Sequence, residues 1–330
     1  MDKNSKNTLT LMVCGIFILI AGLFLSISSG AAHIGLSDIW DSIFNFSDKL
    51  ELILIRDVRI PRVLCVLVTG GVLGTCGAMV QGVTRNPIAE PSLLGVSQGA
   101  ILVVACFYAA GAAITTINVM LASLIGAVFS GTIVLGFILK RSNYSSITKI
   151  LLGGTAMGTF FISLTTIVGL LSNKAQFIAF WVGGGFRNAN WSEVILITAV
   201  GIPGFLIAIF LSKKINVLSL GDDVAISLGQ NPEKIRLITI LIMIPMCAGA
   251  VAVGKNIGFV GLIVPQIVRK AVGEDYRKNI PLSFLLGAVL LTYSDIAARM
   301  IFTPYEIPIG VFTSLIGVPF FIAAARKEKG

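Results

Sequence analysis

The sequence predicts an all-α integral membrane protein, and three features of it say so. Of 330 residues 55% are hydrophobic and 12% charged, with a mean hydropathy of +0.93, whereas soluble domains carry about 25% charged residues. The apolar residues come in uncharged runs of about twenty, the length that crosses a bilayer core as a helix. The basic residues gather in short clusters between those runs, where membrane topology places them. The net charge of +9 therefore reads as topology and lipid contact, not nucleic-acid binding.

Taken in order, the chain gives ten expected spans. Residues 9–28 follow Lys3 and Lys6 without a charge; the run outlasts the roughly 7–15-residue core of a signal peptide and so reads as a retained first span. The loop 29–58 contains SDIWDSIF, in which Ser37 is placed to cap a short interfacial helix whose Ile39, Trp40, Ile43 and Phe44 share an apolar face. His33, the single histidine, lies in this loop and reads as a surface residue, since one histidine builds no metal site. The second span, 62–83, opens with Arg59 and Arg62 around Pro61 and carries Gly70, Gly71, Gly74 and Gly77. Small residues at such spacing let helices pack backbone to backbone, so this span belongs inside a bundle. A loop with Pro87 and Pro91 leads to the third, 92–110. The others fall at 117–139, 150–172, 191–211, 235–253, a short run 257–268 interrupted by Pro265, 280–298 and 307–325.

With the N-terminus inside, 17 of the 25 Lys and Arg fall on the cytoplasmic side, the bias the positive-inside rule demands. Both termini are then cytoplasmic and the crossings even in number, so the short run 257–268 must cross in a broken form, shielded by protein. Arg59, Arg62 and Arg299 fall on the outer side against this trend. The first two also stand at a helix N-terminus, whose dipole disfavours cations by roughly 0.3–1 kcal/mol each. An anion is expected to compensate, and the three together look like a receiving surface for acidic side chains. Gln81, Arg85 and Asn86, with Glu90 and Gln98, form the polar cluster near the inner end of the first hairpin, and Asp295 within the ninth span reads as a hydrogen-bonding residue of the bundle.

Residues 213–234 form the longest polar cytoplasmic segment. Asp222 and Asp223 suit the start of a short helix, Val224 and Leu228 share one face, and Gly229 suits its C-terminal cap. Two catalytic motifs are decoys. Gly95-Val96-Ser97-Gln98-Gly99 spells a nucleophile elbow but has no preceding strand and no histidine on its side of the membrane. Gly249 to Asn256 is one residue short of a phosphate-binding loop, with Asn256 where Ser or Thr would hold magnesium. Cys14, Cys65, Cys76, Cys106 and Cys247 lie singly within spans and read as packing residues. An ion-coupled transporter would need midplane carboxylates, of which only Asp295 offers itself, and an enzyme would need a catalytic constellation that this chain lacks.

RIPR at 59–62, GAMVQGVTRNPIAEPSLLGVSQGA at 77–100, IGFVGLIVPQIVR at 257–269 and YEIPIGVFTSLIGVPFF at 305–321 resemble the signature segments of one family. It is that of the iron-siderophore, haem and cobalamin permeases of binding-protein-dependent ABC importers. The resemblance implies a single permease domain over 1–330 with ten helices in inverted-repeat halves, similar to the cobalamin permease of type II importers, in the bacterial cytoplasmic membrane. It implies two permeases and two ATPases per transporter, a substrate-binding protein outside, and a ferric siderophore as cargo, with haem or cobalamin the alternatives. ATP and Mg belong to the ATPase, and no cofactor or metal is expected on this chain. Arg59, Arg62 and Arg299 match the positions that receive glutamates of the binding protein. Gly221, Ala225, Leu228 and Gly229 match the family's LGxxxAxxLG coupling helix, which brings Asp222, Asp223 and Val224 with it. Ile147 and Thr148, in the loop before the fifth span, fall at the cytoplasmic gate. One departure is Gln266 after Pro265, where the family has histidine; glutamine keeps donors and acceptors, so packing is expected to survive.

Overall fold

A computed structural model describes residues 3–29, 35–45, 47–113, 115–139, 147–303 and 305–327. Among the described residues there are fourteen α-helices and no strand. They are α1 (Lys3–Ser28), α2 (Leu36–Phe44), α3 (Leu50–Leu54), α4 (Ile60–Thr84), α5 (Val96–Ala109), α6 (Thr116–Leu139), α7 (Ile147–Leu171), α8 (Ala175–Gly183), α9 (Trp191–Ser219), α10 (Asp222–Ser227), α11 (Pro232–Gly254), α12 (Val260–Val272), α13 (Tyr276–Met300) and α14 (Ile309–Lys327). Each of the ten expected spans coincides with a helix. Among the described residues seven helical stretches are long and apolar enough to cross a membrane by length and composition, while α5 and the segment Ile309–Ile322 are shorter apolar helices. The sequence reading passed over α8.

Helix α4 is the axis of the bundle. A π-helical turn, Ile55–Arg59, joins it to α3, so that Leu50–Thr84 runs as one helical rod. From Pro61 to Val83 nearly every residue of α4 is buried, against α13, α9, α11 and α12. The glycines explain how. A Cβ on Gly70 would collide with the carbonyl of Gly287, one on Gly74 with that of Ser283, and one on Gly77 with that of Gly261. Backbone therefore meets backbone along one face of α4, the close approach by which helices associate where lipid supplies no hydrophobic drive. Around this axis the ends are fixed by ordinary capping. Asn190 accepts from Glu193 N–H at the start of α9, and Asn231 from Lys234 N–H at the start of α11, which has Pro232 in its first turn.

The peripheral helices differ in kind. α1 packs on α13 through Gly15 and Gly22 and leaves Phe17 and Phe24 exposed, as a helix facing lipid does. In α2 the apolar face divides: Ile39 packs with Leu52 and Ile55, while Trp40 and Phe44 stack on each other, exposed, with centroids 4.5 Å apart. The cap of α2 is not Ser37, which lies inside the first turn. Gly35 is the N-cap, and its N–H donates to the Asp38 carboxylate at 2.8 Å. His33 lies outside the described residues.

The short run 257–268 is where the structure corrects the sequence most. The helix does not break at Pro265; α12 runs through it unbroken. At 13 residues it is about 20 Å long, too short for a hydrocarbon core of ~30 Å. The irregular part is 255–259, which carries the chain down to Gly261, beside Leu73 and Gly77 of α4. Gly77 is seven residues before Thr84, so α12 starts about 10 Å inside that end of the rod. Pro265 removes the N–H that would bond the carbonyl four residues back, Gly261. Gln81 replaces it from α4: its amide donates to the carbonyls of Gly261 and Leu262, each at 3.2 Å. Gln266 donates to the carbonyl of Pro87, so the residue that departs from the family's histidine does hold the neighbouring loop. Pro265 persists because protein, not lipid, surrounds the freed group.

Two outcomes test this account. Gly74→Ala should lower the thermal midpoint of the purified protein by an amount equivalent to ~1–3 kcal/mol of overpacking, while Gly153→Ala, a helical site open to 4 Å, should leave it unchanged. Gln81→Leu should cost about 1–3 kcal/mol by stranding a buried carbonyl, and clearly less in a Pro265→Ala background, where residue 265 regains its N–H. Strictly additive costs in that pair would show that Gln81 does not substitute for the missing donor.

Candidate functional site

Three groups of residues stand out: a charge cluster where α4 starts, a helical knob where it ends, and a groove between them. The first brings together α4, α13, the end of α1 and the turn into α14. Because α13 runs antiparallel to α4, its Asp295 faces Arg62. Arg62 presents two edges. Nε and Nη2 donate to Asp295 at 2.9–3.3 Å, and Nη1 and Nη2 donate to Glu306 at 2.8 and 3.2 Å. Arg299, one turn beyond Asp295, puts its Nε 3.0 Å from the Asp295 carboxylate, an ion pair whose angle does not make a hydrogen bond.

For Arg62 and Arg299 an anion is thus supplied from within the chain. Arg62, Arg59 and Arg299 are all buried. Arg59 donates to the carbonyls of Ile27 and Ser28, and Arg299 donates to Ser26 Oγ at 2.6 Å and to the carbonyls of Ser26 and Ser29. Helix α1 ends in orphan carbonyls, and these two guanidinium groups cap them. Asp295 is a bundle residue, as read from sequence, but its partners are cations. Glu306, with a side chain 30% exposed against 1% for Asp295, is the accessible carboxylate of the cluster.

At the other end Arg85 closes α4 in the left-handed conformation, φ 52°. Its guanidinium meets Asp222 at 3.1 Å, and Arg236 of α11 binds both oxygens of the same carboxylate at 2.8–3.1 Å while its Nε donates to the Val83 carbonyl. Asp222 is the first residue of α10, and Gly221 before it takes φ 129°. The short helix is thereby clamped to the ends of both α4 and α11. Ala225 is its buried residue, Asp223 is exposed, and Gly229 turns the chain with φ 74°. Val224 and Leu228 are exposed, as a face without a partner in this chain must be, and Leu220 and Ile226 of the same segment are exposed as well. The sequence reading missed Leu220, Ile226 and Arg236. No local signal marks Arg236, the fifth residue of α11 and past its first turn.

Asn86 forms a local turn, its side chain accepting from the Ile88 N–H at 2.9 Å. The loop after it doubles back beside α4, so that Pro91 reaches Gly261. Glu90 is buried there, with the backbone N–H of Phe259 and the Ser92 hydroxyl against its carboxyl group. A groove of about 800 Å³ opens beside this junction, with Ser92, Gln98, Asn256 and Ser314 as its polar lining and α14 along one wall. Gln98 Oε1 is buried without a hydrogen bond. Ile147 and Thr148 are the first two residues of α7, not loop residues, and their side chains lie outside the described set. The decoys dissolve. Gly249–Gly254 is the last part of α11, and Lys255 spends its ammonium on the carbonyl of Gly185 at 2.8 Å.

Comparison with known proteins agrees with this architecture. The family model of the FecCD transport family matches residues 18–327. The chain is 40% identical over 319 residues to the iron(3+)-hydroxamate import system permease protein FhuB of Bacillus subtilis (strain 168), covering 96% of this chain and 83% of that one. It is 37% identical to the Fe(3+)-citrate import system permease protein YfmD of the same organism, covering 99% and 97%. It is 32% identical to the hemin transport system permease protein HmuU of Yersinia pestis, covering 95% of each. Among solved structures, an inward-facing conformation of a metal-chelate type ABC transporter superposes with a TM-score of 0.83 at 26% identity, over 98% of this chain and 99% of that one.

Proposed function

We infer the function from a premise the preceding matches establish, that this chain belongs to the FecCD transport family. It is the membrane permease of an ABC importer, a transport component and not a catalyst, and its cargo is a ferric siderophore. The observation that carries this is the match over residues 18–327 to one transport family, together with the two clamped ends of α4. The relatives named for hydroxamate, citrate and hemin are of comparable similarity, so the cargo class is selected by the binding protein that docks.

The finer organisation is proposed as follows. One permease domain, 1–330, crosses the bacterial cytoplasmic membrane ten times with both termini inside, pairs with a second permease, and works with two ATPases that hold ATP and Mg; this chain carries no cofactor. The two halves, α4–α7 and α11–α14, are inverted repeats. Their support is that the second helix of each, α5 and α12, is short, that α12 begins beside Gly77 of α4 with Pro91 of the 3-10 turn before α5 against it, and that the two helices run toward opposite ends. Paired interrupted segments of this kind mark the substrate path in inverted-repeat transporters. The arginine end of α4 is outside and receives the binding protein through Arg59, Arg62 and Arg299. The Asp222–Gly229 knob is inside and seats in the ATPase, and Ile147 and Thr148 flank the inner gate.

Uptake of radiolabelled ferric siderophores by cells with and without this chain tests the cargo. Uptake of at least one ferric siderophore should be lost in its absence; loss of haem or cobalamin uptake alone would reassign it. Coupling is tested by Leu228→Asp. Leu228 is exposed, so the variant should fold and bind the loaded binding protein. It should nonetheless abolish stimulation of ATP hydrolysis in liposomes, because an anchor lost from an interface costs about 2 kcal/mol or more. Normal stimulation in that variant would place the coupling contact elsewhere.

A further inference from the structure

The charge cluster at the start of α4 has a fixed half and an exchangeable half. Asp295 is 1% exposed and is shared by Arg62 and Arg299. Glu306 is part-exposed, is held through Arg62, and sits on the turn between α13 and α14, three residues before Ile309 begins α14. Both edges of the Arg62 guanidinium are occupied by these two carboxylates. A third carboxylate arriving from outside has no edge to bind unless one of them leaves.

We propose that Glu306 is an internal stand-in for a carboxylate of the binding protein, and that docking displaces it from Arg62 and so frees the turn that leads into α14. The proposal rests on the reading that the binding protein docks at the arginine end. Several observations favour Glu306 as the group that yields. Replacing one carboxylate by another on the same edge leaves the charge of the cluster unchanged, and Arg62 is already desolvated, so the exchange avoids most of the penalty of burying a new ion pair. With Glu306 withdrawn, Arg62 and Arg299 share Asp295, a more cationic site that suits an acidic partner. Ile301, Phe302 and Tyr305 on the same turn are exposed, giving the charge pair the apolar surround of a protein-binding surface. The consequence reaches the groove, because α14 lines it with Gly310, Val311, Ser314, Leu315 and Val318. Docking is thereby converted into release of the outer anchor of a groove wall.

The test uses the complete permease–ATPase assembly in nanodiscs and its cognate loaded binding protein. Glu306→Gln removes the competitor and should tighten binding about tenfold, raise ATPase activity without the binding protein, and reduce the further stimulation that docking gives. A spin label at Tyr305→Cys, a fully surface position, should gain mobility when the binding protein docks to an otherwise unchanged assembly. Unchanged or weaker binding by Glu306→Gln, or a label indifferent to docking, overturns the exchange while Arg59→Glu still weakens binding. If Arg59→Glu and Arg62→Glu bind as tightly as the unaltered protein, the docking site itself is misplaced and the exchange falls with it.

Discussion

The structure depends on the close approach of backbones along α4. Where Gly70 and Gly74 meet Gly287 and Ser283, and Gly77 meets Gly261, no side chain intervenes, and the helix is sealed from lipid over most of its length. That seal permits the rest. Non-helical backbone inside a membrane is tolerated only where protein satisfies it, and the two irregular approaches, 85–95 and 255–259, meet beside this face, where Pro91 reaches Gly261. Gln81 supplies the donor that Pro265 withholds, and Gln266 and the backbone of Phe259 tie the two approaches together. Without the glycine face α12 would have no wall to start from.

The two ends of α4 are alike in electrostatic design. Each has an arginine that belongs to the rod, Arg62 at one end and Arg85 at the other, and each arginine is satisfied by an acid on a segment outside the rod, Glu306 or Asp222. In both places a second arginine shares the site: Arg299 through Asp295, and Arg236 on Asp222 itself. The pairs at Glu306 and Asp222, each on a part-exposed acid, do not join one membrane-length helix to another. What they do is fix the position of short connecting segments relative to a rigid axis.

Much of this was legible in the sequence, and the reasons are particular. The spans followed from uncharged length, the central place of α4 from its glycine spacing, and the knob at 222–229 from an acidic helix start followed by a glycine stop. The arginines at 59 and 62 were recognisable as electrostatically misplaced. What sequence could not supply was the partner. Asp295 and Glu306 lie more than 230 positions away, and no local spacing relates an α4 arginine to an α13 acid. The same holds for Gln81 and Gly261, 180 positions apart. The prolines misled in the opposite direction. Pro265 reads as a break, yet α12 continues because a side chain from another helix repairs the missing bond.

A rod tied at both ends to part-exposed acids constrains how force can travel through this molecule. From Arg62 to Arg85 is 23 residues, about 35 Å of helix, and bending it would separate close-packed backbones on several sides at once. The pairs at its ends cost far less to rearrange, because each acid is part-exposed and water can compete for it. Movement driven at either end is therefore carried by what the acids are attached to: the turn into α14 beyond Glu306, and α10 with the starts of its neighbours beyond Asp222. The groove lies between these segments, walled by α14 and by the junction at Ser92 and Phe259. It follows that, on the proposal made for Glu306, α4 with the backbones packed on it is the fixed reference and α14 is the wall that shifts.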